Sequence, residues 1–319
     1  MSAHTDRDEG EPQLPRITWP TLPDMPLLID EPIFRIGPRC LYSHSPTTIL
    51  KFGIDEGEGD ITALARSIIG PIVPHVLGVV SISDPKEKRE GLLLSRQPGT
   101  SLDALWPSLS PTQRATVKAK LCELLLRMRR HRFSYYGRPG EQPYITTTDS
   151  GVEQHTFCTT RIEWDDSRIR ALRKAAPGLG IDEARRLFLE QVQHENVCDY
   201  RPVLTHEDLA PRNLLVDPET LEVTGFLDWE RSNIAPAYYE YVMARLSTGY
   251  EPEWRKELLD VLRNVLRVEC EMDQGTSVGH EVERKYETAL EAWKSLVDVE
   301  RAAQNYGDDC SWTYETDSQ

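Results

Sequence analysis

The sequence has no apolar run that fits a membrane span, because the most apolar stretch, Leu64 to Ile82, is interrupted by Arg66, Pro71, Pro74 and His75. It is also poor in positive charge, with 37 Lys and Arg against 52 Asp and Glu and a net charge of -15, and it contains no long basic run. A general nucleic-acid binder needs a basic surface, so that class is excluded. The six cysteines form no C-x-x-C and no Cys/His pair, which argues against a metal knuckle and for reduced thiols in an intracellular protein. The opening residues MSAHTDRDEGEPQLPR lack the basic and apolar parts of a secretory signal, and none of the five asparagines opens an N-x-Ser/Thr acceptor. A cytoplasmic protein is expected. Internal repeats and low-complexity blocks are absent too. What is present is length: 319 residues, 39% of them hydrophobic, can bury a substantial core as one large or two medium units.

The most informative stretch is Val203 to Glu230. Short apolar runs alternate there with polar turns that carry His206, Asp208, Asn213 and Asp228. The punctuation predicts short buried strands with acidic and amide groups at their ends. Phosphoryl transfer to a hydroxyl needs a carboxylate to orient the hydroxyl and accept its proton, and hard oxygen ligands to hold Mg²⁺ on the phosphates. Asp208 suits the first role, and Asn213 and Asp228 suit the second. His206 precedes Asp208 by two, so in an extended segment both side chains project to one side, and the imidazole is expected to brace the loop. Any of these alone would be an ordinary turn residue. All of them in this order between apolar runs favour catalysis.

His206, Asp208 and Asn213 resemble the H-x-D-x-x-x-x-N catalytic loop of kinase-like folds. LDWE, Leu227 to Glu230, resembles the D-W-E that replaces D-F-G in the aminoglycoside phosphotransferase and choline kinase-like family. DLAPRNLLVD, GFLDWE and the downstream APAYYEYVMA are similar to the branch of that family common in fungi. The resemblance implies a bilobal α+β, protein kinase-like fold, with a small β-rich N-lobe and a larger, mainly helical C-lobe. It implies ATP as co-substrate, Mg²⁺ as cofactor and a small-molecule acceptor such as an amino sugar, amino alcohol or secondary metabolite, with neither nucleic acid nor membrane as partner. One departure is Glu207, where the family usually has Gly; it is expected to add negative charge beside the phosphate site.

From Ile33 to Ser95, the segments IFRIG, TTILKFG, VLGVVSI and GLLLS predict strands of a small, largely antiparallel sheet, with one helix from about Asp60 to Ile69. By resemblance, Lys51 in ILKFG matches the strand lysine that contacts nucleotide phosphates. Its acidic partner would be Asp60 or Glu58, and Asp60 is the expectation. The resemblance also makes LSRQPG, Leu94 to Gly99, the hinge between lobes and assigns adenine contacts to Ser95 and Gln97. The segment between Ile33 and Lys51 holds one glycine, Gly37, so it has no G-x-G-x-x-G phosphate cradle.

Downstream, Ser110 and Pro111 read as the N-cap and first residue of a helix whose Val117, Leu121, Leu124, Leu125 and Met128 form one buried stripe. Ile181 to Glu195 reads as a short amphipathic helix. Trp164, Asp165 and Asp166 either face an acceptor or belong to a helix start, the latter being preferred. Trp254 to Cys270 and Val278 to Ala303 predict two long helices. In the family such helices form the rear wall of an acceptor cleft, and Glu269, Glu271 and Asp273 are candidates to attract amino groups there, or else a solvated face. No A-P-E activation segment follows LDWE, which disfavours a protein substrate. The expected division is a flexible lead (1–28), an N-lobe (29–97), a C-lobe (98–305) and a frayed polar tail (306–319). The function expected is transfer of the γ-phosphate of Mg-ATP to a small-molecule hydroxyl; the alternative is a catalytically impaired binding or regulatory module.

Overall fold

Residues 20–22, 32–36, 39–53, 57–83, 88–148, 151–274, 279–307 and 310–313 are described by a computed structural model of the chain. β-rich sequence near the N-terminus gives six strands: β1 (Thr21–Leu22), β2 (Phe34–Ile36), β3 (Arg39–Ser45), β4 (Thr48–Phe52), β5 (Val76–Ser83) and β6 (Lys88–Ser95). They form one sheet in the order β1, β5, β6, β4, β3, β2. Four of these were legible from apolar runs bounded by turns. β3 was not, because its RCLYSHS carries little apolar alternation; it is held by pairing with β4, Cys40 to Phe52 and Tyr42 to Leu50. β1 falls inside the stretch expected to be a flexible lead. Its two residues pair in parallel with Val79 and Val80, occupying the edge that β5 would otherwise present unpaired.

Helix α1 (Glu58–Ile69) lies between β4 and β5. Its N-cap Gly57 is left-handed at φ 89°, a conformation that glycine adopts without a Cβ clash. Ile61, Leu64, Ala65 and Ile69 recur at helical spacing and are buried in the large core shared with the C-terminal helices. A small separate cluster of Cys40, Leu50, Phe52, Val80 and Leu93 sits within the sheet region. The face of α1 that joins the larger core therefore fixes this helix, and Glu58 at its start, relative to the rest of the chain.

After β7 (Thr100–Ser101) and the single turn α2 (Leu102–Leu105) the chain becomes mainly helical: α3 (Pro111–Arg130), α4 (Arg161–Ala175), α5 (Glu183–Glu195), α6 (Tyr239–Leu246), α7 (Pro252–Gln274) and α8 (Gly279–Ala303). The expected cap of α3 is present as a full capping box between Ser110 and Gln113. Arg114 pairs with Glu253, Lys118 with Glu257 and Arg129 with Glu269, so α3 and α7 run in the same direction. α4 meets α8 through a fully buried two-pronged pair, Arg168 Nε and Nη2 to Glu300 at 2.8 and 2.6 Å. The sheet lobe followed by a larger helical lobe is the α+β arrangement expected.

One preferred reading holds here, the helical one for Trp164 and Asp165, and two expectations change. Trp164 and Asp165 are buried inside α4, whose cap is Thr160; the Trp164 indole donates to Tyr238 and Asp165 bonds Arg161 and Gln193, so they serve packing. Glu269 is used by Arg129 and Arg201. Described residues of the supposed frayed tail are packed: Tyr306, Cys310 and Thr313 are buried, and the Thr313 carbonyl accepts from Arg245. Among the described residues no helix is long and apolar enough to cross a membrane.

Candidate active site

Four short strands deliver the polar turns of Val203 to Glu230 to one place. β8 (Pro202–Thr205) pairs antiparallel with β11 (Asn233–Pro236), and β9 (Leu214–Val216) pairs with β10 (Val223–Phe226). Leu214 stands opposite Phe226, and the Leu227 N–H donates to the Asn213 carbonyl at 2.8 Å. Asn213, before one strand, and Asp228, after the other, are thus brought side by side although they stand 15 positions apart in the sequence.

His206 links this hairpin to the loop bearing Asp208. Its Nδ1 accepts the Asp208 N–H at 3.2 Å, which leaves Nε2 as the protonated nitrogen donating to the Leu227 carbonyl at 2.8 Å. The ring stacks on Phe226 with centroids 4.5 Å apart and meets the edge of Trp229. Burial lowers its pKa, although Asp208 opposes this, so the imidazole is a neutral brace, as expected.

Glu207 does not face the phosphate side. It adopts φ 65°, a left-handed backbone that costs a non-glycine residue roughly 1–2 kcal/mol and explains why glycine suits this position. Its carboxyl turns inward, 1% exposed, and accepts from Thr205 Oγ1 and Asn233 Nδ2, each at 2.8 Å. Burial pushes its pKa up to about 8, against the effect of those two bonds, so near neutral pH it is mainly uncharged. The negative charge expected beside the site is therefore buried and held protonated. Glu240, in the first turn of α6, accepts the N–H groups of His206 and Glu207 at 2.6 and 2.9 Å and locks the loop from beneath. Burial raises Glu240 to about 7, with those N–H donors opposing.

Asp208 itself is nearly buried, and its Oδ2 accepts from Arg212 Nη2 at 2.8 Å. Asn213 Nδ2 donates to the Asp208 carbonyl at 2.9 Å, so its amide oxygen is the atom it can offer a cation. Burial disfavours the charge of Arg231, yet Asp208, Glu230, Tyr250 and Asp228 near it raise its pKa.

Lys51 reaches this cluster from β4. Its ammonium donates to Glu58 Oε1 at 2.8 Å, Asp228 Oδ1 at 2.6 Å and Glu230 Oε2 at 2.9 Å. Burial works against the Lys51 charge, but Glu58, Asp228 and Glu230 hold its pKa well above the ordinary value. One ammonium cannot balance three carboxylates, and Glu58 bears the burden: burial lifts it to about 7 despite Lys51. Asp228, which keeps 31% of its side chain exposed, is held below the ordinary range because Lys51 outweighs its burial. Glu58, Asp228 and Glu230 place oxygens within 4.8 Å of one another, a hard donor set suited to Mg²⁺ in which Lys51 already occupies the shared side.

The acidic partner of Lys51 is thus Glu58 and not Asp60, which faces the other lobe, where its Oδ2 accepts from Gln142. Ser95 spends its N–H on the His75 carbonyl and its hydroxyl on the His75 N–H, and Arg96 N–H goes to Thr47. Ser95 thus has its amide committed to the sheet, and Gln97 turns its side chain onto the Ser95 hydroxyl. Gly37, Asp55 and Glu56 lie outside the described residues. Sequence reasoning missed Glu230, Glu240 and Arg212, all within quoted segments, and Arg231, one residue beyond the Val203 to Glu230 stretch. Arg39, which pairs with Glu230 at 2.5 Å, had no signal.

The profile of the phosphotransferase enzyme family matches residues 61–271, about two-thirds of the chain. The chain belongs to this family. No curated protein matches it in sequence. Among solved structures, the chain is similar to a thermostable mutant of aminoglycoside phosphotransferase APH(4)-Ia at 15% identity and TM-score 0.49, covering 89% of this chain and 90% of that one. It is also similar to ADP-bound APH(2'')-Ib, at 11% identity and TM-score 0.46 over 86% and 95% of the two chains. A third, APH(3'')-Id from Streptomyces rimosus, is 17% identical at TM-score 0.42 over 82% and 92%. Family membership fits the site as built: an anchored carboxylate, an amide and a second carboxylate at adjoining strand ends, and a lysine from the sheet lobe.

Proposed function

We propose that this phosphotransferase moves the γ-phosphoryl group of ATP to a hydroxyl of a small molecule. Lys51 would contact the nucleotide phosphates, and the Gln97 end of the linker would lie at the adenine. Asp208 would orient the acceptor hydroxyl and take its proton as the new O–P bond forms, while the bond from the γ-phosphorus to the β–γ bridging oxygen breaks and ADP leaves with the electron pair. The oxygens of Asn213 and Asp228 would hold Mg²⁺, whose chemistry is to offset the charge of the phosphates. His206 is a positioning residue for the loop. The lobes would divide as 29–97 and 98–305, with the nucleotide between them.

The observation that carries this reading is the Lys51 to Asp228 ion pair at 2.6 Å, which joins the strand of one lobe to the hairpin end that also bears Asn213. Glu207, which with the missing glycine cradle suggested an impaired module, is turned into the core, and this supports the active reading. Incubation with Mg-ATP and a library of hydroxylated small molecules, followed by ³¹P NMR, tests the assignment. A phosphomonoester product is expected, and Asp208→Asn should lower its formation by about 10² to 10⁴-fold. Product formation that persists in Asp208→Asn removes the assigned base.

A further inference from the structure

The outer side of Asp208 is cationic. Arg212 Nη2 rests on Asp208 Oδ2 at 2.8 Å, and 42% of the Arg212 side chain is exposed, so its fork has donors that face solvent while one end holds the base. A Cβ on Gly249, in the turn between α6 and α7, would lie 3.9 Å from Arg212 Nη1, so that turn flanks the guanidinium without a side chain. Arg231 adds a second guanidinium, and its Nε is buried without a hydrogen-bond partner among the described residues. Three acids considered above do not face this side. Glu207 and Glu240 point beneath the loop, and Glu269 sits about 22 Å along α7 from Trp254, whose indole touches the Leu209 carbonyl.

We propose that the acceptor is a hydroxylated anion, bearing a carboxylate or phosphate group close to the hydroxyl, and that Arg212 is the residue that reads it. This rests on the phosphotransferase reading above. A guanidinium fork matches a carboxylate or phosphate in a two-pronged bond and binds it more strongly than the single bond it makes here to Asp208. The acceptor anion draws Arg212 off Oδ2 and leaves that oxygen free to receive the hydroxyl proton. Without it, Arg212 covers the base, and transfer to water is suppressed. A cationic acceptor meets like charge and has no group with which to displace the arginine.

The test measures ADP release and phosphorylated product by the full chain with Mg-ATP, for the wild type, Arg212→Gln, Arg212→Lys and Asp208→Asn. The added compounds are D-glycerate and glycerol 3-phosphate as anions, glycerol as their neutral parent, and ethanolamine and kanamycin as cations. Wild-type ADP release is expected to rise at least about tenfold more with an anion than with glycerol at equal concentration. The better of the two anions distinguishes carboxylate from phosphate. Arg212→Gln is expected to hydrolyse ATP about three- to tenfold faster than wild type in buffer alone, and to lose the preference for anions. Arg212→Lys, which keeps the charge without the fork, should fall between. The acceptor assignment is overturned if ethanolamine or kanamycin stimulates as well as the anions do, if no anion stimulates, or if Arg212→Gln hydrolyses ATP no faster than wild type. If the wild type releases no ADP, or Asp208→Asn releases it undiminished, the phosphotransferase reading itself fails. ADP release that Asp208→Asn abolishes but anions do not favour removes the acceptor assignment alone.

Discussion

Lys51 Nζ lies 2.6 Å from Asp228 Oδ1, a contact between residues 177 positions apart. Asp228 therefore has two claimants, the lysine and any cation that Asn213 shares. Two unit charges about 4 Å apart interact by about 4 kcal/mol at an effective dielectric near 20, so phosphates entering beside Glu58, Asp228 and Glu230 need a counter-charge. Nucleotide affinity should fall by at least about tenfold when Mg²⁺ is replaced by EDTA. Isothermal titration gives the answer, and equal affinity in EDTA contradicts the assigned ligands.

Removing the ammonium should damage stability as well as binding. Lys51→Met leaves Glu58 buried without its cation and Glu230 with Arg39 alone, and breaking a buried pair from one side costs about 3–5 kcal/mol. A second substitution, Glu58→Gln, should recover part of that loss because it removes one of the stranded charges. Denaturant midpoints of the single and double variants measure the recovery, and strict additivity would show that the two side chains do not interact.

Glu207 makes stability depend on pH in a definite direction. Below about 4.5 its carboxyl is protonated in both states; between the ordinary value of 4.5 and its folded value of about 8 the unfolded chain releases a proton that the folded chain keeps. Stability from this group therefore falls as pH rises through that window and levels above it. Glu207→Gln mimics the protonated form, so relative to wild type it should gain on the order of a few kcal/mol between pH 5 and pH 8.5. Unfolding curves at the two pH values check the sign; a variant that loses ground at pH 8.5 contradicts a neutral Glu207.

His206 should leave no mark on the pH–rate profile near its ordinary pKa of 6.5, because burial lowers it. Imidazole ¹⁵N NMR should show Nε2 protonated and Nδ1 bare throughout the neutral range. Detection of the imidazolium at pH 7 would contradict the pair of bonds to Leu227 and Asp208.

Away from the site, Arg168→Met should destabilise by about 3–5 kcal/mol through the stranded Glu300. Replacing both residues with apolar ones of similar volume should recover most of it. Thermal unfolding of the two variants measures the difference, and equal loss would place the effect in packing instead of charge.

The order His206, Asp208, Asn213, Asp228 was legible because strand ends and turns are local matters: apolar runs bounded by polar turns announce where a chain stops and what it carries there. The capped start of α3 and the paths of α7 and α8 follow from 3.6-residue periodicity in the same way. Which acid meets Lys51 was not local. Glu58 and Asp60 share one helical turn, and the burial of Ile61, Leu64 and Ala65 against the helical lobe turns Glu58, and not Asp60, toward the lysine. The direction of Glu207 depended on a left-handed backbone angle and on Asn233, 26 positions away, and Glu269 was claimed by arginines on two other segments. The sequence by itself determined which chemical groups stand at the strand ends. Tertiary packing decided which of the many acids are paired, buried or aimed at the base, because ion-pair partners are chosen by distances between segments that no local pattern encodes.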